Sequence, residues 1–131
     1  MEMNDRFNKG FENRKEVLGA AHVEKSWANA DEFNRPMQQF VTESCWGDIW
    51  GDPALPFRTR SLLNIGMLTA MSQHHELGVH VRGALRNGVT KDEIRAALMQ
   101  AAIYCGMPAG LAAFRVATEA IKAYDAETAK A

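Results

Sequence analysis

One helix ends and another begins within the stretch Asn87-Gly88-Val89-Thr90-Lys91-Asp92-Glu93-Ile94. Gly88 stands where a glycine commonly follows the last helical turn, because glycine reaches the left-handed conformation without steric cost. Thr90 and Glu93 match the capping box, in which two side chains satisfy the first amides of the new helix. Apolar residues recur at helical spacing on both sides, and strand-like alternation is scarce. We therefore predict an all-α fold.

The other helices follow from apolar periodicity and from the positions of glycine and proline. A turn-rich loop is predicted over residues 45–56, which hold two tryptophans, two glycines and two prolines, and residues after 125 should fray. The chain should form a single compact domain, residues 1–131, of about six short-linked helices. We predict helices over residues 6–26, 31–43, 57–72, 75–87, 90–105 and 108–124, with Asp31 as an N-cap and Pro36 and Pro108 in first turns.

Composition excludes several classes of protein. The chain has 131 residues, 47% of them hydrophobic, and a net charge of −1, which gives no footprint for nucleic acid or an anionic membrane. No apolar run approaches the roughly 20 residues that span a bilayer. The first residues lack the apolar stretch of a signal peptide, and Cys45 and Cys105 form no CxxC pair, so we expect a cytoplasmic protein without a disulfide framework.

The helix over residues 57–72 is apolar on nearly all sides. Such a helix is typical of a protein core or of a subunit interface. We therefore expect a homo-oligomer.

Three of the four histidines fall between Gln73 and His80. A zinc-binding HExxH motif needs two histidines four positions apart on one helix face. His75 and His80 are five apart, which turns them about 140° from each other. The sequence therefore predicts no metal site here.

Glu76 and His80 are four positions apart and share one helix face. A carboxylate in this position fixes the tautomer of an imidazole and favours its charged form, which suits a proton donor near neutral pH. The alternative is an ordinary surface pair, worth about 0.2–0.5 kcal/mol.

Two arginines and a group of aromatic residues are the other candidates. Arg58 or Arg60 could bind a carboxylate, and the alternative is that both form structural ion pairs. Trp46, Trp50 and Phe57 could line a pocket or could pack the chain against the core.

Taken in order, several segments resemble the carboxymuconolactone decarboxylase family. The resemblance covers roughly the last two thirds of the chain, by its run of motifs rather than by any single one. The matching segments are Trp46-Gly47-Asp48-Ile49-Trp50, Arg58-Thr59-Arg60-Ser61-Leu62, Glu76-Leu77-Gly78-Val79-His80-Val81, Asn87-Gly88-Val89-Thr90-Lys91-Asp92-Glu93-Ile94-Arg95 and Ala102-Ile103-Tyr104-Cys105-Gly106-Met107-Pro108-Ala109.

The resemblance implies a helical alkylhydroperoxidase-D-like fold and a homo-oligomer, a hexamer or a trimer. It implies decarboxylation of 4-carboxymuconolactone to 3-oxoadipate enol-lactone in protocatechuate breakdown, without a cofactor. The peroxidase branch of the superfamily uses CxxC followed by a histidine. His80 matches that histidine, but Gln73 and Glu76 stand at the cysteine positions, so a dithiol cycle is not expected.

With this resemblance, each candidate residue receives a role. His80 would deliver the proton, oriented by Glu76, and Arg58 or Arg60 would bind a substrate carboxylate or the developing oxyanion. Substrate binding would also involve Trp46, Trp50 and Tyr104 as a dry wall, and Glu43 as an arginine partner.

Two positions depart from the family pattern. Asp52 and Gln73 stand where arginine is often found, so two possible carboxylate anchors are missing. Three alternatives therefore stay open: a relative acting on another lactone or keto acid, a redox protein, and a non-catalytic helical assembly module.

Overall fold

The computed structural model describes residues 4–130. These residues form seven α-helices and one π-helix, and no strand occurs among them. They divide into two compact units, one up to Phe57 and one from Arg58 onward. No helix within 4–130 has the length and apolar character to cross a membrane. The all-α class is confirmed, and the single-domain organisation remains a prediction.

The helices are distributed evenly between the two units. The first contains α1 (Asp5–Leu18), α2 (Ala20–Ala28), α3 (Arg35–Phe40) and the π-helix (Val41–Ile49). The second contains α4 (Phe57–Ala70, whose first residue belongs to the first unit), α5 (His74–Arg86), α6 (Lys91–Cys105) and α7 (Met107–Ala129).

The helix predicted over residues 6–26 is in fact two helices, α1 and α2. Gly19 separates them with a φ of 92°, a left-handed conformation that glycine adopts readily. The predicted N-cap Asp31 also lies outside the helices. Its Oδ1 accepts hydrogen bonds from the amides of Phe33 and Asn34, each 3.0 Å long, and so closes a turn ahead of α3.

The predicted loop over residues 45–56 is wrong for its first half, which continues α3 as the π-helix. The amide of Trp50 donates to the Cys45 carbonyl at 2.9 Å, the five-residue step that defines this helix type. Gly47 serves close packing rather than a turn, since a Cβ there would lie 2.7 Å from the Arg6 carbonyl oxygen. Helix packing therefore overrides the local glycine signal.

In the second unit the predicted helix ends are confirmed at the capping box. Thr90 Oγ1 accepts from the Glu93 amide at 3.1 Å, and Glu93 Oε1 accepts from the Thr90 amide at 3.0 Å. Gly88 has the expected left-handed backbone, with a φ of 85°. The fraying predicted after residue 125 is wrong, because α7 stays helical to Ala129.

A continuous apolar core holds the second unit together and fixes the rotation of α5. Leu77 and Val81 are fully buried, and His80 lies beside them on the same helix. Helix α4 buries one stripe and leaves apolar residues such as Met67 exposed, so it is not enclosed on all sides within the chain. The core residues are Ile65, Leu77, Val81, Ala84, Val89, Ile94, Leu98, Ala113, Ala117 and Ala120.

Candidate active site

His80 is a buried imidazole on α5, with 8% of its surface exposed. Its Nδ1 lies 3.4 Å from Nδ2 of Asn64, which α4 carries in the same unit. Asn64 was not singled out from the sequence. The sequence did offer one indication of its role, since asparagine is a poor helix former and yet stands inside the apolar run of α4. In such a position its side chain usually makes a hydrogen bond.

Glu76, the predicted orienting residue, lies one turn before His80 on α5 and is exposed. The two residues share a helix face, as their spacing predicts. At His80 Nδ1 the structure places the Asn64 amide. The orienting role of Glu76 therefore remains a prediction.

Arg58 stands in the first turn of α4 and forms an ion pair with Glu93 of α6. Glu93 is thus shared: one oxygen caps α6 through the Thr90 amide and the other accepts from the Arg58 guanidinium. This guanidinium, followed by the Thr90 amide, lowers the pKa of Glu93 from 4.5 to about 2. The alternative that Arg58 forms a structural ion pair is therefore confirmed. Its contact with substrate stays a prediction.

Replacing Arg58 with Gln should raise the pKa of Glu93 from about 2 toward 4.5, because the largest cause of the depression is removed while the Thr90 amide remains. A carboxyl group with a depressed folded-state pKa stabilises the fold above about pH 4.5, and the contribution is lost as the pH falls toward 2. The melting temperatures of the wild type and Arg58→Gln should therefore converge in acid.

The direct measurement is a carbon NMR titration of the Glu93 carboxyl group in both proteins. The matched control is Arg86→Gln, which removes a surface ion pair with Glu127 in the same unit and should leave the Glu93 titration unchanged. An unaltered Glu93 pKa in Arg58→Gln would rule out the ion pair as its cause.

Tyr104 lies near the end of α6, is 83% exposed, and borders an open groove between α4 and α6 of about 680 Å³. The described residues that line this groove include Thr59, Leu62, Met67 and Cys105, and His80 is not among them. The structure therefore places Tyr104 in this groove between α4 and α6. Its predicted role in substrate binding is untested.

Arg60 follows Arg58 by two positions on α4 and is half-buried. Its predicted contact with substrate remains a prediction.

In the first unit, Glu43 is a buried carboxylate on the π-helix, 8% exposed. Asn4 Nδ2 donates to its Oε2 at 3.2 Å, and an Arg6 nitrogen lies 3.5 Å from the same oxygen. Arg6 also pairs with Asp48 at 2.7 Å, a hydrogen bond that lowers the pKa of Asp48. Glu43 thus has an arginine partner within its own unit, one that the sequence analysis did not identify.

The tryptophans of the first unit form a buried stack. Trp46 and Trp50 are each 4% exposed, with ring centroids 4.6 Å apart, and Phe57 meets Trp50 edge-on at 5.7 Å. Burial of this kind fits the packing interpretation of these residues. Their role as a wall of the substrate pocket stays a prediction.

The two cysteines bear on the redox alternative. Burial raises the pKa of the Cys45 thiol, which disfavours the thiolate that a dithiol cycle needs. Cys45 and Cys105 are both free, and Cys105 is exposed. Within residues 4–130, no group of three or more His, Cys, Asp or Glu side chains is placed to hold a metal ion.

The described residues form a helical protein in which α5 carries a buried imidazole, His80, beside the Asn64 amide. The family model described as "Carboxymuconolactone decarboxylase family" matches residues 35–119. The chain belongs to this family, as its motifs had indicated.

Two relatives extend this result. A 4-carboxymuconolactone decarboxylase of Acinetobacter baylyi is 43% identical over 122 residues, which cover 92% of this chain and 91% of the relative. A nitrosuccinic acid decarboxylase of Metarhizium robertsii is 44% identical over 115 residues, covering 88% of this chain and 80% of the relative. The protein is therefore an enzyme of the decarboxylase class.

Proposed function

We propose that the protein decarboxylates 4-carboxymuconolactone to 3-oxoadipate enol-lactone, without a cofactor, as a step in protocatechuate breakdown. The support is the full-length similarity to a relative with this name. The structural observation that carries the proposal is the buried His80 imidazole, which can hold and donate one proton away from bulk water.

The reaction needs little beyond positioning and one proton. The carbon–carbon bond to the departing carboxylate breaks, CO₂ leaves, and the electron pair passes through the ring double bond onto the lactone carbonyl oxygen. A proton then adds to a ring carbon and restores the neutral lactone. Because the substrate is its own electron sink, the protein has to bind the carboxylates, stabilise the oxyanion and supply the proton.

The residues of the second unit divide this work. His80 delivers the proton to the ring carbon, and Glu76 helps to return its proton from solvent. Arg58 or Arg60 binds a substrate carboxylate or the oxyanion, since a guanidinium can hold a carboxylate through two hydrogen bonds. Drying of the pocket destabilises the reacting carboxylate and favours its loss.

A second candidate substrate is nitrosuccinic acid or a similar activated dicarboxylic acid, favoured by the relative of that name. A nitro group accepts the electron pair left by CO₂ just as an unsaturated lactone does. The residues at Asp52 and Gln73, where the family often has arginine, are consistent with a change of substrate. Both candidates require the same proton donor.

The test supplies purified protein with each substrate in turn, with no cofactor added. 4-Carboxymuconolactone is generated enzymatically in situ, and CO₂ release is followed together with loss of the substrate. We expect kcat/KM for 4-carboxymuconolactone to exceed that for nitrosuccinic acid roughly tenfold or more. The reverse preference would transfer the proposal to the second substrate, and no turnover of either by folded protein would overturn both.

We also propose that the protein is a homo-oligomer, a hexamer or a trimer, that works in the cytoplasm on a small-molecule lactone. The support is the exposed apolar surface of the second unit, because contiguous apolar surface is typical of association sites. The large apolar side chains exposed there are Leu63, Met67, Met71, Met99, Ile103, Tyr104, Met107 and Leu111.

A further inference from the structure

We propose that Asn64 is a positioning residue that selects the tautomer of His80. Its amide donates to Nδ1 of the neutral imidazole and so places the single ring proton on Nε2, the nitrogen left for contact with the substrate. Only the predicted effect on catalysis rests on the proposed function. The tautomer itself is a property of the free protein.

The geometry within the second unit supports this assignment. Asn64 Nδ2, on α4, lies 3.4 Å from His80 Nδ1, on α5. A neutral imidazole has one donor and one acceptor nitrogen, so a donor at Nδ1 fixes Nε2 as the protonated one. His80 is 8% exposed and Asn64 is half-buried, so water competes poorly for this contact.

Packing of the neighbouring residues fixes the positions of both side chains. Ile65, the residue after Asn64, is fully buried, as are Leu77 and Val81 on either side of His80. These apolar residues belong to one core, which fixes the rotation of both helices. The amide and the imidazole therefore meet without any movement at the moment of reaction.

An amide differs from a carboxylate in what it does to the proton. A carboxylate beside Nδ1 would accept from the ring, which places a proton on Nδ1 and stabilises the charged imidazolium. An amide N–H instead pairs with the lone pair of the neutral ring, whose single proton then lies on the other nitrogen. Glu76, being exposed, can then serve proton return without fixing the tautomer.

The test is nitrogen NMR of the protein labelled at its histidine rings, since protonated and unprotonated ring nitrogens have well-separated chemical shifts. In the wild type we expect His80 to carry its proton on Nε2. Asn64→Asp should shift it to Nδ1, and Asn64→Leu should give a mixture of tautomers. The resonances of His74 and His75, exposed at the start of α5, report whether the fold is retained.

The matched control is Gln100→Glu, the same amide-to-carboxylate change at an exposed position of α6, which should leave the His80 tautomer unchanged. A wild-type ring protonated on Nδ1, or the same tautomer in all Asn64 variants, would overturn the proposal. If both Asn64 variants unfold, the wild-type spectrum still decides which nitrogen carries the proton.

The catalytic consequence is measured separately. Asn64→Leu should lower kcat roughly tenfold with little change in KM, less than the 10²–10⁴-fold that a proton donor itself contributes. An altered tautomer with unchanged kcat would remove Asn64 from the mechanism. If the wild type turns over neither substrate, the proposed function fails, and the spectra alone decide whether Asn64 sets the tautomer.

Discussion

Replacing His80 with Gln should lower kcat about 10²–10⁴-fold, because the variant keeps a polar side chain of similar size but cannot deliver a proton. KM should change little, since in the proposed mechanism the imidazole acts on the reacting carbon and other groups bind the carboxylates. His80→Ala should lose as much turnover and some stability as well, because it leaves a cavity at a buried position. The measurement is steady-state turnover of 4-carboxymuconolactone, with circular dichroism to follow helicity.

The matched control for His80 is His75→Gln. His75 is exposed and lies on the same helix, so its loss should leave kcat within a factor of about two. Wild-type turnover in His80→Gln would remove His80 from the mechanism. Loss of turnover accompanied by loss of helicity would point to a structural role. His80→Gln separates a structural role from a catalytic one, because it keeps a polar side chain of similar size.

Replacing Gly10 with Ala should lower the free energy of unfolding by about 3 kcal/mol, near the upper end for overpacking. A Cβ at this position would lie 1.9 Å from the carbonyl oxygen of Thr42 and 2.9 Å from the amide nitrogen of Gly47. Both are backbone atoms, so no side-chain rotation relieves the clash, and α1 must move away from the π-helix. Thermal unfolding followed by circular dichroism measures the effect.

The matched control for Gly10 is Gly78→Ala, also a glycine-to-alanine change inside a helix. A Cβ at Gly78 would meet Val116 at 3.6 Å, an ordinary contact, so the change should raise stability by about 0.5–1 kcal/mol. Equal effects at the two positions would contradict the close approach of α1 and the π-helix.

The helix ends illustrate what could be predicted from the sequence. Thr90 and Glu93 cap each other across three residues, and Gly88 turns the chain just before them. These bonds join neighbours in the chain, so residue type and spacing suffice to predict them. The π-helix could not be predicted in this way, because Gly47 resembles a turn residue until α1 is packed against it.

In the candidate site, too, contacts between neighbours in the chain could be predicted and contacts between distant residues could not. By its spacing from Glu76, His80 could be a proton donor or part of an ordinary surface pair, and the family resemblance made it the candidate for proton transfer. Its neighbour Asn64 is 16 positions away, and the partner of Arg58 is 35 positions away. No periodicity relates residues at such separations, so the sequence favoured Glu76, the partner within one helical turn.

The sequence by itself therefore determined the all-α class, most helices of the second unit and the family, and it offered His80 as a candidate proton donor. Each depends on bonds within a few residues or on an ordered set of motifs. Tertiary structure alone decided that the segment around Glu43 is a π-helix, that Glu93 holds Arg58, and that an amide faces His80. These outcomes depend on how the helices pack, because the energy of a contact between distant residues is gained only when the core has brought them together.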